Sequence, residues 1–172
     1  MWNVQPASEL AVVALGSNLG DSRQILLDAT DRMRGFSEFP VLSSSLWVSS
    51  PVDCPQGSPK FVNAIVAFHP RATETPVSLL QKLQSLETEF GRHPKQIINE
   101  PRPLDLDLIV FGEQMLQSPE LMLPHPRAHQ RKFVLCPLNE VAPDLVLPGQ
   151  WKRVSELLAN LRSDETIERL SI

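Results

Sequence analysis

Only two cysteines, Cys54 and Cys136, occur in the 172 residues, and they form neither a dense disulfide framework nor a metal-ligand spacing. Long apolar runs are missing as well. The longest, such as Leu10–Leu15 and Ile65–Phe68, fall far short of the ~20 residues a membrane-spanning helix needs. No basic start followed by an apolar stretch marks a secretory leader. The expectation is a chain with no membrane role in a reducing, cytoplasmic compartment. Excess basic charge is absent too: 16 Lys and Arg against 20 Asp and Glu leave a formal charge of −4, which disfavours nucleic acid as a partner. With no internal repeat, low-complexity tract or long linker, residues 1–172 read as a single domain.

What is present is ordinary globular composition, 42% hydrophobic and 21% charged, at a length able to bury roughly 70% of the surface the unfolded chain exposes. Proline is the exception, at 16 residues or about 9% against a usual ~5%, and it punctuates loops. Residues 10–15 read as a buried strand running into the turn Gly16-Ser17-Asn18-Leu19-Gly20. Asp21-Ser22 then cap a helix carrying Ile25, Leu26, Ala29 and Met33, closed by Gly35. Val41–Ser49 reads as a second strand and Ser50–Lys60 as a loop. Phe61–His69 reads as a third strand, with Phe61, Asn63, Ile65 and Ala67 on one face. Thr75-Pro76 starts a helix through Leu79, Leu83, Leu86 and Phe90 that Gly91 stops. Leu104–Phe111 is the fourth strand, and a further helix is expected around Val154–Leu161. This order predicts an α+β sandwich, an antiparallel four-stranded sheet with two helices on one face.

The chemistry concentrates in Pro101-Arg102-Pro103-Leu104-Asp105-Leu106-Asp107-Leu108. In a strand, Asp105 and Asp107 share one face and the leucines the other. Two carboxylates so close repel unless a cation intervenes, and such hard oxygen ligands suit Mg²⁺, which takes one or two carboxylates plus phosphate oxygens and water. A solvated acidic face is the competing reading of so short a pattern. Between Arg92 and Lys132 lie six basic residues and three of the four histidines, so cations able to pair with phosphate surround the carboxylates. Phe61 and Phe133 offer faces for a flat heterocycle whose edge the Asn63 amide reads; as isolated aromatics they read as core. The glycines of Gly16–Gly20 match neither a P-loop nor a dinucleotide fingerprint and read as a structural turn. The carboxylate pair alone also allows a metal-dependent glycosyltransferase, for which 172 residues leave little room, and a purely structural domain.

Taken together, several motifs resemble the 6-hydroxymethyl-7,8-dihydropterin pyrophosphokinase family of folate biosynthesis. They are Leu15–Gly20, Phe61-x-Asn63-Ala64, Glu87-x-x-x-Gly91-Arg92, Pro101-Arg102-x-Leu-Asp105-Leu-Asp107-Leu, Pro124-His125-Pro126-Arg127, Arg131-x-Phe133-Val134-Leu135-x-Pro137-Leu138 and Glu140-x-Ala142-Pro143. The resemblance covers about residues 10–148. It implies a ferredoxin-like α+β fold and transfer of pyrophosphate from ATP to the hydroxymethyl group of a reduced pterin, releasing AMP. It further implies two Mg²⁺ ions on Asp105 and Asp107. Phosphate or ATP contacts would come from Gln84, Arg92, Lys95, Arg102, His125 and Arg131, with Arg92, Arg102, Asp105 and Asp107 catalytic. The pterin would lie between Phe61 and Phe133, read by Asn63 and by the loop at Ser50, Pro51 and Asp53. The chain departs from a common family pattern at Asn99-Glu100, where many members carry Trp-Gly, and at Pro94, where some carry a basic residue. These positions fall in the loop expected to close over the nucleotide, so a catalytically weakened pterin- and nucleotide-binding module is the alternative.

Overall fold

The computed structural model describes residues 9–171. Strand β1 (Ala11–Ser17) is apolar over most of its length and buried throughout, because it lies inside the sheet and is covered on both faces. Helix α1 (Ser22–Met33) starts where the Asp21 carboxylate accepts from Gln24 N at 3.2 Å, and it buries Leu26, Ala29 and Met33. It gives way to a 3₁₀ turn, Arg34–Phe36, so Gly35 lies just past the α-helix.

The expected second strand is broken into β2 (Leu42–Ser43) and β3 (Trp47–Ser49), both pairing with β4 (Phe61–Phe68). Serine causes part of the break: the Ser44 hydroxyl accepts from Ile65 N at 2.9 Å, substituting for a ladder bond. Helix α2 (Pro76–Glu89) carries a reciprocal Thr75–Ser78 cap and proline in its first turn. It ends at Phe90, beyond which Gly91 takes φ +95°, a conformation that favours glycine. Strand β5 (Asp105–Phe111) is followed by a small hairpin, β6 (Leu116–Gln117) and β7 (Met122–Leu123).

The sheet order is β5-β1-β4-β3, every neighbour antiparallel. Two β-α-β units crossing in this order make the ferredoxin-like arrangement. A strand from the C-terminal segment, β8 (Ile167–Arg169), extends the sheet beside β3.

Helices cover both faces rather than one. Leu26, Met33, Leu79, Leu83 and Leu86 of α1 and α2 pack on Val13, Leu15, Phe68, Leu104, Leu106 and Leu108. On the opposite face, α3 (Lys132–Val141) and α4 (Val154–Asn160) press Val134, Leu135, Leu138 and Val154 onto Val12, Ile65, Ala67 and Ile109. Pro137 hides α3 from sequence reading, since proline ordinarily breaks a helix interior. Here burying Val134, Leu135 and Leu138 outweighs the hydrogen bond that Pro137 cannot donate to the Phe133 carbonyl.

Candidate active site

The strand register builds the site. Gly16 of β1 pairs with Asn63 of β4 on one side and Asp105 of β5 on the other. Neighbouring strands lie about 4.8 Å apart, so the backbones of Asn63 and Asp105 stand about 10 Å from each other across a residue with no side chain. Gly16 is therefore a strand residue forming the floor of a cleft, not part of the turn; a Cβ there would lie 3.5 Å from the Phe61 ring and 3.7 Å from Asn63 Oδ1. Gly20, at φ +81°, keeps the turn role.

Of the residues expected at the pterin, Ser50, Asp53, Phe61, Asn63 and Phe133 line one end of the cleft, together with Val52, Cys54 and Asn99; this is its neutral, aromatic-walled end. Pro51 is in the same loop but does not line the cavity. Asn63 is buried, and its Nδ2 donates to Ser49 Oγ at 2.7 Å and to the Trp47 carbonyl at 3.5 Å. Those bonds turn Oδ1 toward Gly16, so the amide offers the cleft an acceptor, and a ligand edge there must donate.

At the charged end, the leucines of β5 anchor the strand while Asp105 and Asp107 face the cleft. Asp105 Oδ1 accepts from Arg92 Nη1 at 2.5 Å and Oδ2 from Arg102 Nη2 at 3.1 Å. Burial pushes the Asp105 carboxyl up, but Arg102 and Arg92 outweigh it and hold it below the usual range. Asp107 has the opposite balance: burial and then the Asp105 charge push it to about 7, against partial relief from Arg131. Neighbouring carboxylates so divergent are a mark of functional sites.

Residues outside the cavity hold this geometry. The Glu87 carboxylate on α2 pairs with Arg92 and accepts from Leu106 N at 3.0 Å, closing the open edge of β5. Burial raises its pKa, with the Arg92 charge opposing. Asn18, buried, accepts from Arg102 N at 2.9 Å through Oδ1, while Asn18 N donates to the Arg102 carbonyl at 3.1 Å and Nδ2 to the Pro59 carbonyl at 3.4 Å. Asn18 thus ties β1 to both loops beside the cleft. Arg102 also lies over the Phe61 ring at 5.0 Å, and its buried Nε has no hydrogen-bond partner among the described residues.

Of the other predicted phosphate ligands, Arg131 lines the main cleft, its guanidinium 5.3 Å from the Phe133 ring centroid. Lys95 lines an adjoining hollow with Arg92, Arg102, His93 and Glu100. His125 lines neither cavity, yet burial and then the charges of Arg131 and Arg127 lower its pKa. Its Nδ1 accepts from Arg127 N at 3.2 Å, which leaves the proton of the neutral ring on Nε2. Gln84 is exposed on α2 and lines neither cavity.

The departures at Asn99-Glu100 are built into the loop. Asn99 takes φ +56°, a conformation asparagine tolerates, and its amide donates to the Asp53 carbonyl at 2.7 Å, strutting the 92–104 loop against the loop at the neutral end. The Glu100 carboxylate accepts from Gln96 N at 3.3 Å. Arg127, also in the cleft lining, stands in the sequence as one basic residue among six and as the end of the motif Pro124-His125-Pro126-Arg127, with no role assigned to it. The supporting roles of Glu87 and Asn18 had no signal in composition or spacing; their motifs appeared only through the family resemblance.

The model of the 7,8-dihydro-6-hydroxymethylpterin-pyrophosphokinase (HPPK) family matches residues 12–143. The chain belongs to this family. It is similar to the 2-amino-4-hydroxy-6-hydroxymethyldihydropteridine pyrophosphokinase of Pseudomonas aeruginosa, 42% identical over 159 residues, covering 92% of this chain and 94% of that protein. The enzyme of the same name from Haemophilus influenzae is 34% identical over 158 residues, covering 92% of this chain and 96% of that protein. Among solved structures, a Plasmodium falciparum HPPK-DHPS triple mutant shares the fold with a TM-score of 0.67 at 14% identity, covering 87% of this chain and 44% of that one. The ferredoxin-like reading therefore holds, and this pyrophosphokinase-family chain is an enzyme of the transferase class. No helix among the described residues is long and apolar enough to cross a membrane.

Proposed function

We infer that the cleft over Gly16 is where this folate-biosynthesis pyrophosphokinase moves the terminal pyrophosphate of ATP onto the hydroxymethyl group of 6-hydroxymethyl-7,8-dihydropterin. The observation that carries the reading is the row Asn63–Gly16–Asp105 across three paired strands. It sets a neutral, aromatic-walled end for a flat ring beside a carboxylate and guanidinium end for phosphates.

At the neutral end, Phe61 and Phe133 sandwich the pterin while Asn63 Oδ1 accepts from a donor on its edge. Backbone groups at Ser50–Cys54 complete that wall. At the charged end, Arg92, Arg102, Arg131 and His125 contact phosphate oxygens, and Arg127 adds a guanidinium that sequence reading left out. The partnerless Nε of Arg102 is a donor suited to such an oxygen. Lys95 serves the nucleotide from the adjoining hollow, and Gln84 has the least support.

Among the described residues, no three His, Cys, Asp or Glu side chains group as metal ligands. Two carboxylates facing one cleft still fit Mg²⁺, whose remaining ligands are phosphate oxygens and water. Asp105 and Asp107 would hold the two ions of the family reading, which when bound supply charge neutralisation and Lewis-acid polarisation at the transferring phosphorus. The chain's own share is positioning: its arginines fix the triphosphate, its aromatic slot fixes the acceptor hydroxyl, and the two are held in line.

A product assay with ATP, Mg²⁺ and the reduced pterin tests this. Pterin-dependent AMP is expected. ADP would mean transfer of one phosphoryl group and a misassigned β-phosphorus, and neither product from folded protein would leave a binding module. A cytoplasmic setting is the companion expectation.

A further inference from the structure

The family match ends at residue 143, yet the segment Ser163–Leu170 returns to the cleft's neutral end and grips both of its walls. On one side, Glu165 Oε2 accepts from Lys132 N at 3.0 Å, and Lys132 Nζ donates to the Glu165 carbonyl at 3.4 Å. Lys132 is the first residue of α3. The helix's own N-cap, Arg131, makes no side-chain cap bond, and a guanidinium has no acceptor to offer. A carboxylate 33 residues further along does that work, favoured there by the positive end of the helix dipole. Arg131 and Phe133, the two cleft residues this end of α3 contributes, flank the capped amide.

On the other side, Ser50 N donates to the Thr166 carbonyl at 3.1 Å and Thr166 N to Ser50 Oγ at 3.3 Å. β8 then pairs Ile167 with Ser49 and Arg169 with Trp47. Ser49 is the residue whose hydroxyl orients the Asn63 amide. Farther out, Arg169 meets Glu140 at 3.5 Å and lies over the Trp47 ring at 5.3 Å, and Leu170 N donates to the Leu46 carbonyl at 2.8 Å. Neither Glu165 nor Thr166 lines the cleft. None of the strap's described hydrogen bonds reaches Arg92, Arg102, Asp105 or Asp107, so of the charged groups proposed for phosphate only Arg131 lies beside it.

We propose that Glu165 is a positioning residue for the pterin: by capping α3 from a strap that also holds Ser50, it fixes the spacing between the Phe133 wall and the Ser50–Cys54 wall. Glu165 acts through these residues and touches no substrate. The inference rests on the proposed function for the identity of the ligand in that slot.

Glu165→Ala and Glu165→Gln, with pterin and ATP dissociation constants measured separately on the full chain, provide the test. Loss of a cap of this kind predicts about a fivefold weaker pterin affinity for Glu165→Ala, with ATP affinity within about twofold. Glu165→Gln keeps an acceptor oxygen and loses the charge, so it recovers to about twofold of the unmodified chain. Equal weakening of both ligands would make the role purely structural and overturn the proposal, as would unchanged pterin affinity in Glu165→Ala. If Glu165→Ala gives no folded protein, Glu165→Gln decides. In that variant, pterin binding about twofold weaker together with faster amide exchange at Lys132 than in the unmodified chain supports the proposal, and pterin affinity or Lys132 exchange equal to that of the unmodified chain overturns it. No pterin binding by the unmodified chain would sink the proposed function and this inference with it. Pterin binding that ignores Glu165 sinks this inference alone.

Discussion

The two ends of the cleft share the strand rows of one sheet and differ in how their polar groups are satisfied. At the neutral end the Asn63 amide nitrogen is spent on Ser49 and Trp47, leaving one acceptor facing inward between two aromatic rings. No hydrogen bond of the Asn63 amide must be broken for a flat donor-edged ring to enter, although the Arg102 and Arg131 guanidiniums lie over the Phe61 and Phe133 rings. At the charged end the groups are spent on each other: Asp105 holds Arg92 and Arg102, and Arg92 also holds Glu87. On the proposed function, a triphosphate with its cation would bind by exchange, carboxylate to metal and guanidinium to phosphate. On that proposal, recognition of the ring would be governed by shape and packing, and recognition of the nucleotide by charge, metal and pH.

Removing a carboxylate breaks that division most severely. Asp105→Ala or Asp107→Ala is expected to lower AMP formation by at least about a thousandfold, since the transferring group loses a metal ligand. Pterin affinity, read by calorimetry, stays within about threefold. A near-normal rate in either variant at modest Mg²⁺ would refute the assigned metal site.

Asn18→Ala strikes both ends at once, because this buried amide braces Arg102 and Pro59. Leaving those partners unsatisfied costs about 2 kcal/mol, a fall of about 4–8 °C in Tm for a chain of this size. A melting curve superimposable on that of the unmodified chain would show the amide to be dispensable.

Phe133→Ala should separate the ends cleanly. Loss of ring stacking and apolar contact weakens pterin binding about tenfold and ATP binding by less than twofold. Equal weakening of both ligands would mark Phe133 as core alone.

The smallest effect sharpens the electrostatic half of the comparison. Asp107 has a folded pKa raised to about 7 from an ordinary 3.8, so its bound proton stabilises the fold fully below about pH 4. That contribution falls as pH rises through 7. Asparagine carries no such titration. With EDTA present, Asp107→Asn should therefore gain about 2–4 °C in Tm over the unmodified chain at pH 8 and much less at pH 5. The same gain at both pH values would rule out burial of the charge as its origin.

Much of this protein was legible in one dimension. Period-two alternation put Asp105 and Asp107 opposite Leu104, Leu106 and Leu108, and helix signals such as Asp21 and Thr75-Pro76 fell where helices begin. Such signals are readable because they depend on a residue and its near neighbours in the chain. What failed, or left no trace, depended on partners far away in sequence. Val41–Ser49 breaks at Ser44 because a hydroxyl bonds across to Ile65; α3 survives Pro137 because the opposite sheet face needed covering; and Gly16 became the cleft floor because two strands flank it.

The sequence alone determined the family, the fold class and the residue types able to bind phosphate, a cation and a flat ring, since local pattern and motif order carry those. Only the tertiary structure decided which carboxylate is restrained by arginines and which is left near neutral pH. It alone brought Asn18, Glu87, Arg127 and Glu165 to the site or its supports. Hydrogen bonds and charge–charge terms depend on distance through space, and residues tens of positions apart acquire a distance only when the sheet closes.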